Sequence, residues 1–167
     1  FSATYMKGRS NYLCLHRFET FKTQKPQTST NVVNLKILKI WAQETQNGDR
    51  AELEELSEHI DFWEEISATS ENCLGTECPS YDNCFITRMR QRAAESDLII
   101  VNHHLLCADA AVRQDAYGEV IPACSFAIID EAHQLEDVAT QYFGIHISNY
   151  RLEKLLRDGE KFIGSET

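Results

Sequence analysis

The sequence predicts an α/β protein that is rich in helix. Apolar residues recur at helical spacing over most of its length, and two short continuous apolar runs, DLIIV (97–101) and FAII (126–129), suit buried strands. Between the helical stretches lies an irregular segment in which Cys73, Cys78 and Cys84 are spaced C-x4-C-x5-C, while Cys14 stands far upstream.

In order, residues 1–6 read as the end of a strand, and Lys7 to Asn11 (KGRSN) as a basic turn. Tyr12 to Phe18 is expected to begin a short helix that contains Cys14. Lys22 to Ser29 is polar, includes Pro26 and reads as a loop. From Thr30 to Gln46, Val32, Val33, Leu35, Ile37, Leu38, Ile40 and Trp41 mark a helix that Gly48-Asp49 ends. Ala51 to Ile66 reads as one or two short acidic helices whose glutamates face solvent. Ser67 to Asn83 is irregular, and cysteine-rich loops of this kind need a metal to order them. Phe85 to Ser96 is helical with Arg88, Arg90 and Arg92, and Asn102 to Arg113 is helical. After a turn at Tyr117-Gly118 and the FAII strand, Glu131 to Tyr142 is helical. Ile145 to Ile147 suits a strand, and Tyr150 to Phe162 an amphipathic helix.

The chain has 167 residues, enough for one domain or two small ones. No apolar run approaches the roughly 20 residues that span a bilayer, and the first residues lack a signal-peptide pattern. The chain starts without Met and reads as a piece of a longer protein. Its net charge of −10 opposes indiscriminate polyanion binding, but the charge is uneven. Residues 1–26 carry five Lys/Arg against Glu19 alone, whereas residues 27–72 carry three bases against ten acids. Nothing suggests secretion, so a cytoplasmic setting is expected, where clustered cysteines are metal ligands more often than disulfides. Cys107 and Cys124 lie in apolar surroundings and read as small buried hydrophobes.

Two constellations carry chemistry. The run AIIDEAH (127–133) delivers Asp130 to the carboxyl end of an expected strand, where open α/β folds bind ligands. Asp130 there can hold Mg2+, through water, and Glu131 can orient or deprotonate a water that attacks a phosphate. With Ala132 and His133 the run reads as a DEAH box. The sequence contains no G-x-x-x-x-G-K-[ST] phosphate loop, so this chain alone is expected neither to bind nor to hydrolyse ATP usefully. Cys14, Cys73, Cys78 and Cys84 are the second constellation. Four thiolates suit zinc or an iron–sulfur cluster, and the absence of any C-x-x-C knuckle leaves both open. Lys7, Arg9 and Tyr12 before Cys14, and Arg88 and Arg92 after Cys84, supply the charge and aromatic surface that single-stranded DNA requires. Closure of the cysteines is expected to bring these two groups toward each other.

The order of motifs KGRSNYLC (7–14), C-x4-C-x5-C, DLIIVNHHLL (97–106) and IIDEAH (128–133) resembles the iron–sulfur superfamily 2 DNA helicases, most of all the bacterial DinG and YoaA branch related to XPD. The 58 residues between Cys14 and Cys73 match the long insertion of that branch. The resemblance implies a mostly helical iron–sulfur domain over 7–92, inserted into a RecA-like parallel sheet present only in part. Residues 1–6 would end a preceding motor segment, 93–138 would belong to the first motor domain, and 139–167 would begin an arch domain. It also implies a [4Fe–4S] cluster on Cys14, Cys73, Cys78 and Cys84, with ATP and Mg2+ in the intact protein. His133 would couple hydrolysis to DNA movement, and the activity would be 5′-to-3′ unwinding on single strands and junctions, as in DNA repair. Two other classes fit the cysteines alone. One is a stand-alone cysteine-metal module, with zinc or iron–sulfur, that binds nucleic acid or a protein. The other is a small electron carrier. Neither needs a DEAH box.

Overall fold

The computed structural model describes residues 1–23, 29–53, 62–114, 118–144 and 156. The expected strand at Ile145–Ile147 and nearly all of the expected helix at Tyr150–Phe162 lie outside them, as does Tyr117. The chain divides into two compact units, Phe1–Ile128 and Ile129–Thr167.

In the first unit, strand β1 (Ala3–Tyr5) pairs in parallel with β2 (Leu98–Ile100), with Ala3 opposite Leu98 and Tyr5 opposite Ile100. The Asp97 carboxylate fixes this register by accepting hydrogen bonds from the Ser2 amide (2.8 Å) and hydroxyl (3.1 Å). The expectation of a buried strand at DLIIV is half right. The strand forms, but Leu98 and Ile100 are exposed, the latter by 58%, and only Ile99 and Val101 of the run pack on the interior.

Helix α1 (Leu15–Thr23) starts one residue after Cys14, so Cys14 precedes the helix instead of lying within it. Tyr12 and Leu13 are extended and form isolated antiparallel bridges to Asp49 and Ser67. The Leu13 amide donates to Gly48 (2.9 Å) and the Cys14 amide to Ile66 (2.8 Å). This short segment is thus clasped on both edges by chain from beyond the next helix, α2 (Ser29–Glu44). Leu35 and Leu38 of α2 are buried, while Val33, Ile37 and Ile40 form an exposed apolar side. A 3-10 turn at Arg50–Leu53 and helix α3 (Trp63–Ile66) follow.

Helix α4 (Phe85–Ala94) and helix α5 (His103–Gln114) complete the regular elements of this unit. The core has two parts. Leu13, Phe18, Leu35, Leu38, Trp63, Ile66 and Phe85 form one; Met6, Tyr12, Ala68, Ile86, Met89, Ala93 and Leu105 form the other. Consecutive residues therefore split between them, Tyr12 from Leu13 and Phe85 from Ile86. Alternation along an extended segment gives the first split, and the roughly 100° turn between consecutive helix residues gives the second. At the end of α5 the Asp109 carboxylate accepts from the amides of Val120 (2.6 Å) and Ile121 (2.9 Å) and pairs with Arg113 (2.7 Å). Burial works against ionised Asp109, but the Ile121 amide, Arg113 and the Val120 amide outweigh it and hold its pKa below the ordinary value.

The expected strand at Phe126–Ile129 does not form. Phe126 and Ile128 are 91% and 96% exposed, and among the described residues the sheet has two strands. A strand is stabilised by neighbours on its edges and faces, and among the described residues Phe126–Ile129 pairs with no strand. In the second unit, Glu131 takes a left-handed conformation (φ 47°, ψ 42°) and so stands outside the helix expected to start there. A 3-10 turn at Ala132–Gln134 leads into α6 (Leu135–Phe143), whose inner side is Leu135, Val138 and Ala139.

Candidate metal centre and acid pair

Cys14 and Cys84 hold equivalent positions, each the residue before a helix. The Cys14 carbonyl accepts the Phe18 amide (2.8 Å) to begin α1, and the Cys84 carbonyl accepts the Arg88 amide (3.0 Å) to begin α4. Helix N-termini carry unpaired amides and partial positive charge, which favour an anionic sulfur. Cys73 and Cys78 come from the irregular segment, and Gly75 makes its turn with φ +58°. From there the backbone folds as successive 3-10 turns. The Cys78 amide donates to Gly75 (3.2 Å), the Tyr81 amide to Cys78 (3.0 Å) and the Cys84 amide to Tyr81 (3.1 Å).

These elements bring the four cysteines expected from sequence to one cavity of about 570 Å³. All four are partly buried thiols with no disulfide among them. Among the described residues, no three His, Cys, Asp or Glu side chains converge closely enough to hold a single metal ion. The thiols line a shared wall. Burial raises the Cys14 pKa above its ordinary value; a backbone hydrogen bond from Arg17 opposes this, and Cys78 and Cys84 raise it further. Cys107 is buried as expected, whereas Cys124 is exposed because its IPACS surroundings pack on nothing after Ile121.

The basic residues are distributed differently from the expectation. Tyr12 is only 1% exposed and belongs to the core, so its ring cannot stack on a base. Its burial, offset in part by the Lys7 amide that donates to its hydroxyl, pushes its pKa up to about 12. Lys7 pairs with buried Asp49 at 2.6 Å, so its ammonium is engaged inside the fold. Arg88 is exposed and donates to Asn83 (2.9 Å), and Arg92 donates to Asn47 (2.6 Å). Arg88 and Arg92 line a shallow cavity with Gln46, Gln91 and Glu95, away from the cysteines. The arginines that do meet at the cysteine cavity are Arg9 and Arg90. Sequence reasoning missed Arg90. Its signal was present, since Thr87, Arg90, Gln91 and Ala94 continue the face of α4 that starts at Cys84.

In the second unit, Asp130, Glu131 and His133 are gathered by one tight turn. The Asp130 carboxylate accepts the Glu131 amide (2.9 Å), and the Glu131 carbonyl accepts the Gln134 amide (2.9 Å). His133 Nδ1 lies 3.3 Å from Glu131 Oε2, with both side chains exposed. No helix among the described residues is long and apolar enough to cross a membrane.

The DEAD_2 family matches residues 1–152. The chain is 39% identical over 154 residues to the ATP-dependent DNA helicase YoaA of Escherichia coli, a match covering 92% of this chain and 24% of that protein. It is 41% identical over 154 residues to the ATP-dependent DNA helicase YoaA of Haemophilus influenzae, with the same shares. It is 32% identical over 167 residues to the 3′-5′ exonuclease DinG of Bacillus subtilis, covering 95% of this chain and 16% of that protein. The chain thus spans about a quarter or less of the length of these relatives.

Proposed function

We propose, since this chain belongs to the DEAD_2 family, that it is the cysteine-bearing and DEAH-box portion of an ATP-dependent DNA helicase of the YoaA and DinG kind. The observation that carries the reading is the gathering of Cys14, Cys73, Cys78 and Cys84 on one cavity, in a chain that also presents Asp130, Glu131 and His133 on one turn. In this reading residues 7–92 form the iron–sulfur domain, 93–138 part of a motor domain and 139–167 the start of an arch, after a motor segment ending at residue 6.

The donor set fits a [4Fe–4S] cluster. Thiolates are its ligands, four of them line one cavity, and among the described residues they do not converge on a single point, as one zinc ion at about 2.3 Å from each sulfur requires. Such a cluster supplies iron–thiolate bonds that order the 73–84 segment and a centre that can take up one electron. Asp130 holds the Mg2+ that accompanies ATP, Glu131 positions and deprotonates the attacking water, and His133, already against Glu131, relays the state of that site to DNA movement. The phosphate loop that Asp130 and Glu131 need is supplied by the intact protein. Arg88 and Arg92, each oriented by an asparagine, face the phosphates of single-stranded DNA. Junctions, 5′-to-3′ polarity and a cytoplasmic setting belong to the same reading.

The test separates motor from grip in the intact protein. Glu131→Gln should lower DNA-stimulated ATP hydrolysis by about 10²- to 10⁴-fold while single-strand binding persists. Arg88→Glu with Arg92→Glu should weaken single-strand binding and reduce the steepness of its salt dependence by roughly 1.4, from two lost phosphate contacts. Unchanged hydrolysis in the first variant contradicts the assignment of Glu131; unchanged affinity in the second removes these arginines from the DNA path.

A further inference from the structure

Helix α4 carries arginines on two opposite faces. Arg88 and Arg92 point to the shallow outer cavity, and Arg90, turned half a helix away, points to the cysteines. Arg9, from the 3-10 turn at Arg9–Asn11, reaches the same cavity from the other end of the domain. Both guanidiniums are partly buried. Among the described residues neither forms an ion pair with a carboxylate. Burial and then the nearby Arg9 lower the Arg90 pKa, while Cys73 and Cys84 act in the opposite direction. Two cations held near each other and partly withdrawn from water repel, and a partly buried charge without a carboxylate partner is costly. The arrangement makes sense if the cavity, when filled, carries negative charge.

We infer that Arg90, with Arg9 beside it, is the positioning cation that offsets the negative charge of the four-thiolate cluster and raises the potential at which that cluster accepts an electron. The inference rests on the cluster reading above. Four thiolates around a doubly positive core leave two negative charges, and Arg9 with Arg90 supply two positive ones. Reduction transfers one electron from the titrating reductant to the cluster, with no proton and no bond broken. The added negative charge is stabilised by a cation close to Cys73 and Cys84, and net charge near a cluster is one of the levers that set its potential.

The experiment is a mediated redox titration, followed by visible absorbance and electron paramagnetic resonance, of the intact protein purified anaerobically, with Arg90→Gln and Arg90→Lys beside it. Arg90→Gln should lower the reduced-to-oxidised ratio at a fixed potential about tenfold, equivalent to about 59 mV for one electron. Arg90→Lys, which keeps the charge, should stay within about threefold of the parent. Loss of iron from Arg90→Gln but not from Arg90→Lys supports the same role. Equal potentials in parent and Arg90→Gln, equal shifts in both variants, or equal iron loss from both overturn it, since each indicates packing instead of charge. A parent protein that carries four irons while failing these comparisons refutes Arg90 alone. A parent without iron overturns the cluster reading and this inference with it.

Discussion

Tyr12 and Arg90 show how neighbours in sequence mislead at the scale of one residue. Tyr12 follows Lys7 and Arg9, and that company suggests a surface for nucleic acid. Its extended backbone instead turns Leu13 to one core cluster and Tyr12 to the other. The alternation was readable only with the knowledge that 12–14 is a strand-like segment, which depends on partners near residues 48 and 66. Tyr12 yields a pH prediction. Its folded-state pKa of about 12 lies above the ordinary value of 10.0, so the protonated phenol stabilises the fold fully below pH 10. That contribution, about 2–3 kcal/mol, is lost as pH rises through about 12. Tyr12→Phe should remove this part of the alkaline destabilisation, seen as a flatter dependence of the denaturation midpoint above pH 10. Equal alkaline loss in both proteins would contradict it.

At the scale of elements, helices were legible and strands were half legible. Apolar spacing located α2, α4 and α5 within two residues of where they form, because an α-helix satisfies its hydrogen bonds internally. DLIIV found β1 and became a strand; FAII found no partner and did not, although its residues are as apolar. A tight packing point of the first unit is the turn after α2. Gly48 has φ +64°, and a Cβ there would meet the Phe85 ring at 2.3 Å. Phe85 follows Cys84 directly, so this packing also sets the start of α4 at the cavity. Gly48→Ala should cost roughly 2–4 kcal/mol, from left-handed strain plus overpacking. Chemical denaturation measures this, with faster iron loss to a chelator as the accompanying sign. A midpoint equal to the parent's would show that Phe85 moves aside freely.

Across the whole molecule, the cysteines join parts that sequence keeps apart. The 58 residues between Cys14 and Cys73 hold α1, α2 and α3, and their ends return to one cavity between two cores. The four cysteines could be singled out from their spacing, but the electrostatics of the cavity they line could not, because Arg9 and Arg90 are distant in sequence and meet only after folding. The DEAH residues were legible as a motif, yet their turn geometry depends on a left-handed Glu131 that no local pattern announces. The central claim is that Cys14, Cys73, Cys78 and Cys84 hold one iron–sulfur cluster. Iron, sulfide and zinc content with visible absorbance, taken on the anaerobically purified intact protein beside Cys78→Ser and Cys107→Ser, tests it most directly. The account predicts about four irons per chain in the parent and in Cys107→Ser, and loss of the cluster absorbance with a loosened 67–84 segment in Cys78→Ser. Stoichiometric zinc in the parent, or full cluster absorbance in Cys78→Ser, would contradict it.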